Sequence, residues 1–147
     1  MNYTIGEKKG FMLVGMKYYG NNSNEIGKLW DNFVARIGEI RNRVDVDIHY
    51  GYDTWTAEIN TNGKFTYYAA VKVADDSCVP AGMDLIKIPA NKYAIFKIEN
   101  YNEYPNYDNI VQHIYKEVLP KEGLIISSNY DFEETGKKDM YFHVPIK

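Results

Sequence analysis

In the segment YDFEET (130–135) acidic and aromatic residues alternate, and in MYFHVPI (140–146) a tyrosine and a histidine alternate with apolar residues. On an extended chain successive side chains point to opposite faces. Tyr130 and Phe132 therefore share one face, with Asp131, Glu133 and Thr135 on the other. In the second segment Met140, Phe142, Val144 and Ile146 oppose Tyr141 and His143. The acids can simply be the wet side of a hairpin. A carboxylate among aromatic rings can also serve as counter-charge to a cation, which ring faces attract by a further ~0.5–2 kcal/mol per contact. It can equally serve as a general base beside a proton donor. Loss of water raises the pKa of such a carboxyl and a bound cation lowers it again, so cations are preferred over neutral analogues. If the apolar sets of both strands meet the helices, Glu133, Tyr141 and His143 share the opposite face, and His143 becomes an acid–base partner for Glu133. Glu134 alternates away from Glu133 and is expected at the surface.

Other chemistries find little support. His49, His113 and His143 lie in separate segments without an HExxH spacing, and Cys78 is the only cysteine, so neither a metal site nor a disulfide framework is expected. GxSxG, GxxxxGK[ST] and GxGxxG are all absent, and no cofactor is expected. A net charge of -3 with scattered basic residues lacks the footprint of a nucleic-acid binder. No stretch reaches the ~18 apolar residues of a membrane span. A cytoplasmic protein without a membrane or nucleic-acid partner is expected. The 14 tyrosines in 147 residues supply rings with polar tips, suited to pockets and cores alike.

These residues must be positioned by two like halves. GFMLVGMKYYG (10–20) reads as a strand ending at Gly20-Asn-Asn-Ser. Ile26, Leu29, Trp30, Phe33, Ile37 and Ile40 follow at helical spacing, and Asn22 with Glu25 fits a capping box. Two strands are predicted at 48–59 and 64–73, joined by a hairpin turn at Asn60-Thr-Asn-Gly63. After a breaker-rich loop (74–83) and an extended DLIKIPA, a strand at 92–100 repeats the order. A helix follows on Tyr107, Ile110, Val111, Ile114, Tyr115, Val118 and Leu119, stopped by Pro120 and Gly123. Strands at 129–135 and 139–146 complete it. The predicted fold is a single α+β domain over 1–147, with pseudo-repeats at about 1–75 and 90–147. The duplicated βαββ units form one curved antiparallel sheet, with two helices on one face and a ligand cleft on the other.

The motifs LWDNF (29–33), YGY (50–52), FTYYAAVKV (65–73), VPAGMDLIKIPANKYAIFKI (79–98), IYKEVLP (114–120), YDFEE (130–134) and YFHVPI (141–146) occur in an order that resembles the GyrI-like effector-binding domain. That is the ligand domain of multidrug-sensing MerR-type and AraC-type activators, also found as stand-alone proteins. The resemblance runs from about Tyr3 to the C-terminus. It implies that Glu133 meets lipophilic cations at the bottom of an aromatic cleft, with Tyr67 and Tyr141 beside it. Tyr93, Trp55 and His143 are further cleft candidates. Alternation from Phe65 buries Tyr67 and exposes Tyr68, whereas the resemblance assigns Tyr67 to the ligand, so both stay candidates. Trp30, inside the helical stripe, reads as core. Ala70 stands where many members carry Gly. Thr135 stands where an aromatic commonly follows the Glu, which leaves Trp55 to supply that wall. No helix-turn-helix is expected beside the domain. The implied function is a stand-alone module binding amphipathic, cationic small molecules, whether as sensor, sequestering protein or donor to a partner. Two alternatives are a hydrolase using Glu133 as base with Tyr67 or Tyr141 as proton donor, and a modulator that docks on another protein, a homodimer included.

Overall fold

The computed structural model describes residues 1–100 and 107–147. Among them, eight strands form one antiparallel sheet: β1 (Thr4–Lys8), β2 (Phe11–Gly20), β3 (His49–Thr54), β4 (Phe65–Val73), β5 (Asp84–Ile88), β6 (Asn91–Ile98), β7 (Tyr130–Thr135) and β8 (Met140–Pro145). Their order across the sheet is β1-β6-β8-β7-β3-β4-β2-β5. The two halves, each a strand, a helix and two more strands, meet where β3 pairs with β7. Each half borrows its outer strand from the other: β1 pairs with β6, and β5 with β2.

Helix α1 (Ile26–Arg36) lays Leu29 and Phe33 on Val14, Ala69 and Val71. A one-turn helix α2 (Ile59–Asn62) follows β3. Helix α3 (Tyr107–His113) continues through a π-helical segment (Ile114–Val118), in which Leu119 N–H reaches Ile114 O, into the last turn α4 (Leu119–Lys121). Ile114, Val118 and Leu119 pack on Phe96, Phe142 and Val144. The side chain of Tyr107, counted in the expected stripe, lies outside the described residues. Helices α1 and α3 lie on one face, because Met16, Ala69, Gly51, Glu133, Phe142 and Phe96 are register partners in a single row across the sheet. None of the helices among the described residues is long and apolar enough to cross a membrane.

The opposite face closes on itself. Strands β2 and β7 stand three strand spacings apart, ~14 Å on a flat sheet, yet the ring centroids of Phe11 and Phe132 are 5.4 Å apart. The sheet is therefore a half-barrel. Its concave side is filled by Leu13, Tyr50, Ile88, Tyr93, Tyr130 and Phe132, which is why Tyr130 and Phe132 need no helix to cover them.

Several local expectations change. Residues expected to turn at 60–63 instead belong to α2, closed by Gly63 at φ 73°, so β3 ends at Thr54 rather than at 59. Asn22 caps a 3-10 turn by accepting from Asn24 N–H, without the reciprocal bond of a capping box. Pro120 lies inside the last helical turn, and Gly123, at φ 68°, stops it. Strand β1 is an addition to the expected elements, and its partner is some ninety residues away.

Phe132 is fully buried against Phe11, Tyr50, Tyr93 and His143. Phe132→Ala should lower the unfolding free energy by about 3–5 kcal/mol, measured by chemical denaturation. A loss below about 1 kcal/mol would mean that the concave side is loosely packed.

Candidate functional site

The two halves join at a point where a glycine lets side chains meet over the backbone. Gly51 of β3 lies between Ala69 of β4 and Glu133 of β7. A Cβ at Gly51 would collide with both Glu133 Oε1 and the Tyr67 hydroxyl. Its absence lets Tyr67 donate to Glu133 Oε1 at 2.9 Å, while Trp30 Nε1 of α1 donates to the Tyr67 oxygen at 3.0 Å. An indole N–H can only donate, so the relay runs one way: Trp30 to Tyr67 to Glu133. Burial, then the Glu133 charge, pushes the Tyr67 phenol well above its usual range, so it keeps its proton.

Two further acids share this face. Asp53 and Asp131 are register partners across the β3–β7 ladder, two residues along from Gly51 and Glu133. Asp131 is 4% exposed and accepts from the Tyr115 hydroxyl at 2.6 Å. The two carboxyls lie within hydrogen-bonding reach of each other, a contact they can hold only with a proton between them. Burial, the largest cause, raises Asp131 to about 7, and raises Asp53 well above the carboxylate range with help from Asp131 and Glu133.

These residues floor a cleft between α1 and α3. At one end a cavity of about 490 Å³ is lined by Trp55, Phe65, Asp108, Tyr115, Asp53 and Asp131. The middle, about 350 Å³, adds Trp30, Tyr67, Glu133 and Phe142. Beyond Glu133 lies a third hollow of about 340 Å³, with His49, Thr135 and Met140. The volumes suit drug-sized molecules. The described lining of the first two cavities holds four acids and no lysine, arginine or histidine. Groups of His, Cys, Asp and Glu able to hold a metal ion are absent among the described residues.

Of the residues singled out in the sequence, Glu133, Tyr67 and Trp55 come together here. Tyr68, Tyr93, Tyr141 and His143 do not. The expectation that Glu133 shares a face with Tyr141 and His143 fails because Glu133 pairs with Phe142, whereas His143 pairs with Phe132 and Tyr141 with Glu134. The apolar set of β8 does meet the helices, but that of β7 fills the concave side. His143, 1% exposed, stacks on Phe132 at 4.3 Å. Its Nδ1 lies 2.9 Å from the Tyr141 carbonyl and so carries the hydrogen. Burial, then Lys8, pushes its pKa down to about 3, and it cannot be a proton partner for Glu133. Tyr93 is buried against Tyr130, hydroxyl to hydroxyl at 2.7 Å, and Tyr68 donates to Asp84 at 2.8 Å. Tyr141 is exposed on the concave side. Glu134, expected at the surface, is half-buried there and meets Lys8 at 3.4 Å. Thr135 stands beside Trp30, while Trp55 lies at the other end of the cleft.

Sequence reasoning passed over Asp53, Asp131 and Tyr115. The alternation that put Asp131 on the face of Glu133 already carried the signal, and YGYD places Gly51 and Asp53 opposite two tyrosines in the same way.

The half-barrel and its acid-floored cleft between paired helices are the architecture of an effector-binding domain. Residues 4–145 match the integron-associated effector binding protein family, Cass2, and the chain belongs to it, in line with the resemblance to GyrI-like domains. The chain is 34% identical over 134 residues to the transcriptional regulator BrlR of Pseudomonas aeruginosa. The match covers 90% of the chain and 47% of BrlR, so the chain spans about half of that relative's length. Similar solved structures include SAV2435 bound to tetraphenylphosphonium, with 20% identity and a TM-score of 0.75 over 100% of this chain and 94% of that one. An integron cassette protein from the mobile metagenome of Vibrio cholerae aligns at 21% identity and TM-score 0.68, covering 99% and 95%. The C-terminal domain of EcmrR aligns at 10% and 0.72, covering 100% and 99%. At these identities the structural likeness establishes the fold alone.

Two outcomes follow from this geometry. Gly51→Ala should cost about 1–3 kcal/mol and shift the Trp30 emission, because Tyr67 and Glu133 must separate; unchanged stability and emission would show that the seam tolerates a methyl group. The raised pKa of Asp131 contributes stability that is full below the unfolded carboxylate value, near 4, and is lost as pH rises through about 7. Melting temperatures of wild type and Asp131→Asn should therefore diverge over this range, with the wild type losing several degrees more; parallel curves would mean that Asp131 is not held protonated.

Proposed function

We propose that the chain is an effector-binding module that takes amphipathic, cationic small molecules in the cleft between α1 and α3, with Glu133 as counter-charge. The observation that carries this is the one-way relay from Trp30 through Tyr67 to Glu133. It fixes a carboxyl as hydrogen-bond acceptor on the floor of an aromatic-walled cleft. Trp30, Tyr67, Phe65 and Phe142 supply ring surface around it, and ring faces attract large delocalised cations. Asp53, Asp108 and Asp131 add negative potential, which a low-dielectric cleft concentrates. Tetraphenylphosphonium, to which SAV2435 is bound in its solved structure, is a cation of this kind. By likeness to BrlR, occupancy of the cleft serves transcriptional regulation.

The hydrogen-bonded Tyr67–Glu133 pair is also the geometry a hydrolytic reading needs, with Glu133 as base for water. A phenol held well above its usual pKa is a poor proton donor at neutral pH, and this favours binding without turnover. Tyr141 is on the other face and cannot take the donor role.

Tryptophan fluorescence titrations with matched lipophilic cations and neutral isosteres test both. The cation should bind at least tenfold tighter, and Glu133→Gln should remove that preference, about 1.4 kcal/mol or more. Equal affinity for both members, unmoved by the substitution, would overturn the counter-charge role. Product appearing over time in wild type but not in Glu133→Gln would establish hydrolysis instead.

A further inference from the structure

The cleft holds more negative charge than one cation requires, and the charge is grouped. Asp131 and Glu133 are alternate residues of β7 with side chains on one face, so their positions stand ~6–7 Å apart along the strand. Glu133 marks one anionic position, and the Asp53–Asp131 pair marks the other. At the second position Asp53 Oδ1 is buried, lines the cleft and has no hydrogen-bond partner among the described residues. A buried oxygen left in that state is costly unless a donor arrives. The two positions open into one continuous space, since Asp53 and Glu133 both line its middle section.

We propose that the cleft selects ligands carrying two cationic centres ~6–7 Å apart, one seated at Glu133 and the other at the Asp53–Asp131 pair, whose shared proton is released to solvent as the second centre binds. This rests on the cationic cleft proposed above and specifies its ligand class. An ammonium N–H placed between the two carboxyls takes over the bridging role of that proton and supplies Asp53 Oδ1 with a donor. The groups facing the pair are Glu133 from β7, Tyr67 from β4, and Asp108 and Tyr115 from α3 and its π-helical continuation. Among the described residues all are acids or phenols, so none of them is a base that expels the proton first. Tyr115, raised by burial and by Asp131, keeps its hydrogen and stays a donor to Asp131.

The sign of the pH dependence follows. As long as the pH lies below the raised carboxyl range of the pair, it holds its proton, and seating the second centre must displace it. Affinity for a dication then rises with pH, by about tenfold per pH unit at most, until the pair has lost its proton unaided. A monocation seated at Glu133 alone shows no such slope.

The probes are N,N′-dibenzylputrescine, whose extended diamine matches the spacing, and its single-charge counterpart N-benzylbutylamine. Isothermal titration calorimetry in two buffers of different ionisation enthalpy, at about pH 5 and about pH 8, reads affinity and proton release together. The diamine should bind at least tenfold tighter than the monoamine at the higher pH, release at least one proton at the lower pH and release less at the higher. The double variant Asp53→Asn/Asp131→Asn should abolish the release and bring the affinity ratio near one. A ratio near one in wild type, or no proton release at the lower pH, overturns the inference while monoamine binding leaves the cationic cleft intact. If neither amine binds, both fall. The wild-type readouts decide even if a variant does not fold.

Discussion

The pairing of β3 with β7 is the constraint on which the rest depends. It joins the two halves into one sheet, and it brings Gly51 opposite Glu133 and Asp53 opposite Asp131. Neither half alone contains a complete site. The first half contributes the glycine gap, Tyr67, Trp30 and one acid; the second contributes Glu133, the other acid and Tyr115. A shift of this ladder by one residue would turn Glu133 to the concave side and bring Phe132 toward the helices. The register is held by what fills the concave side, where Phe132 meets Phe11, Tyr50, Tyr93 and His143. Aromatic packing on one face thereby fixes the placement of charge on the other.

Much of the fold is legible in the sequence because its signals are local. Both long helices announce themselves through apolar residues at helical spacing, and the repeated order of elements implies the duplicated sheet. Curvature is what cannot be read. On a flat sheet the aromatic set of β7 would need a helix, and that reasoning places Glu133 with Tyr141 and His143. In the half-barrel the set finds Phe11 across three strands, and the alternation of β8 relative to β7 is set by their pairing instead of by a common apolar side. The same closure turns Tyr93 and His143 from wall candidates into core. Strand β1 escapes for a related reason, since nothing in TIGEK signals a partner in a distant segment.

The site itself is half visible in the sequence. Glu133 and Tyr67 stand out there, and the structure answers the open question between Tyr67 and Tyr68: Tyr67 faces the cleft because its register partner is Asp53, whereas Tyr68 pairs with Tyr52 on the concave side. Tyr67 is buried, as alternation expects, and still lines the cleft, since a side chain can be buried and lie beneath one. Trp30 belongs to the core stripe and to the site together, packing on Phe33 with its ring while its N–H reaches Tyr67.

The exchange of outer strands between the halves bears on how the chain assembles during synthesis. Strand β5 finds β2 already made, so β3-β4-β2-β5 can form before the second half exists. Strand β1 is made before all of these and yet pairs with Asn91–Ile98, so it must wait unpaired until most of the chain has emerged. Its sequence suits that wait, with a glycine, two charged residues and a threonine among its five positions, a composition that resists premature edge-to-edge association. The earliest residues thus find their place only once the second half has begun to emerge, and their pairing ties the first strand made to the half made last.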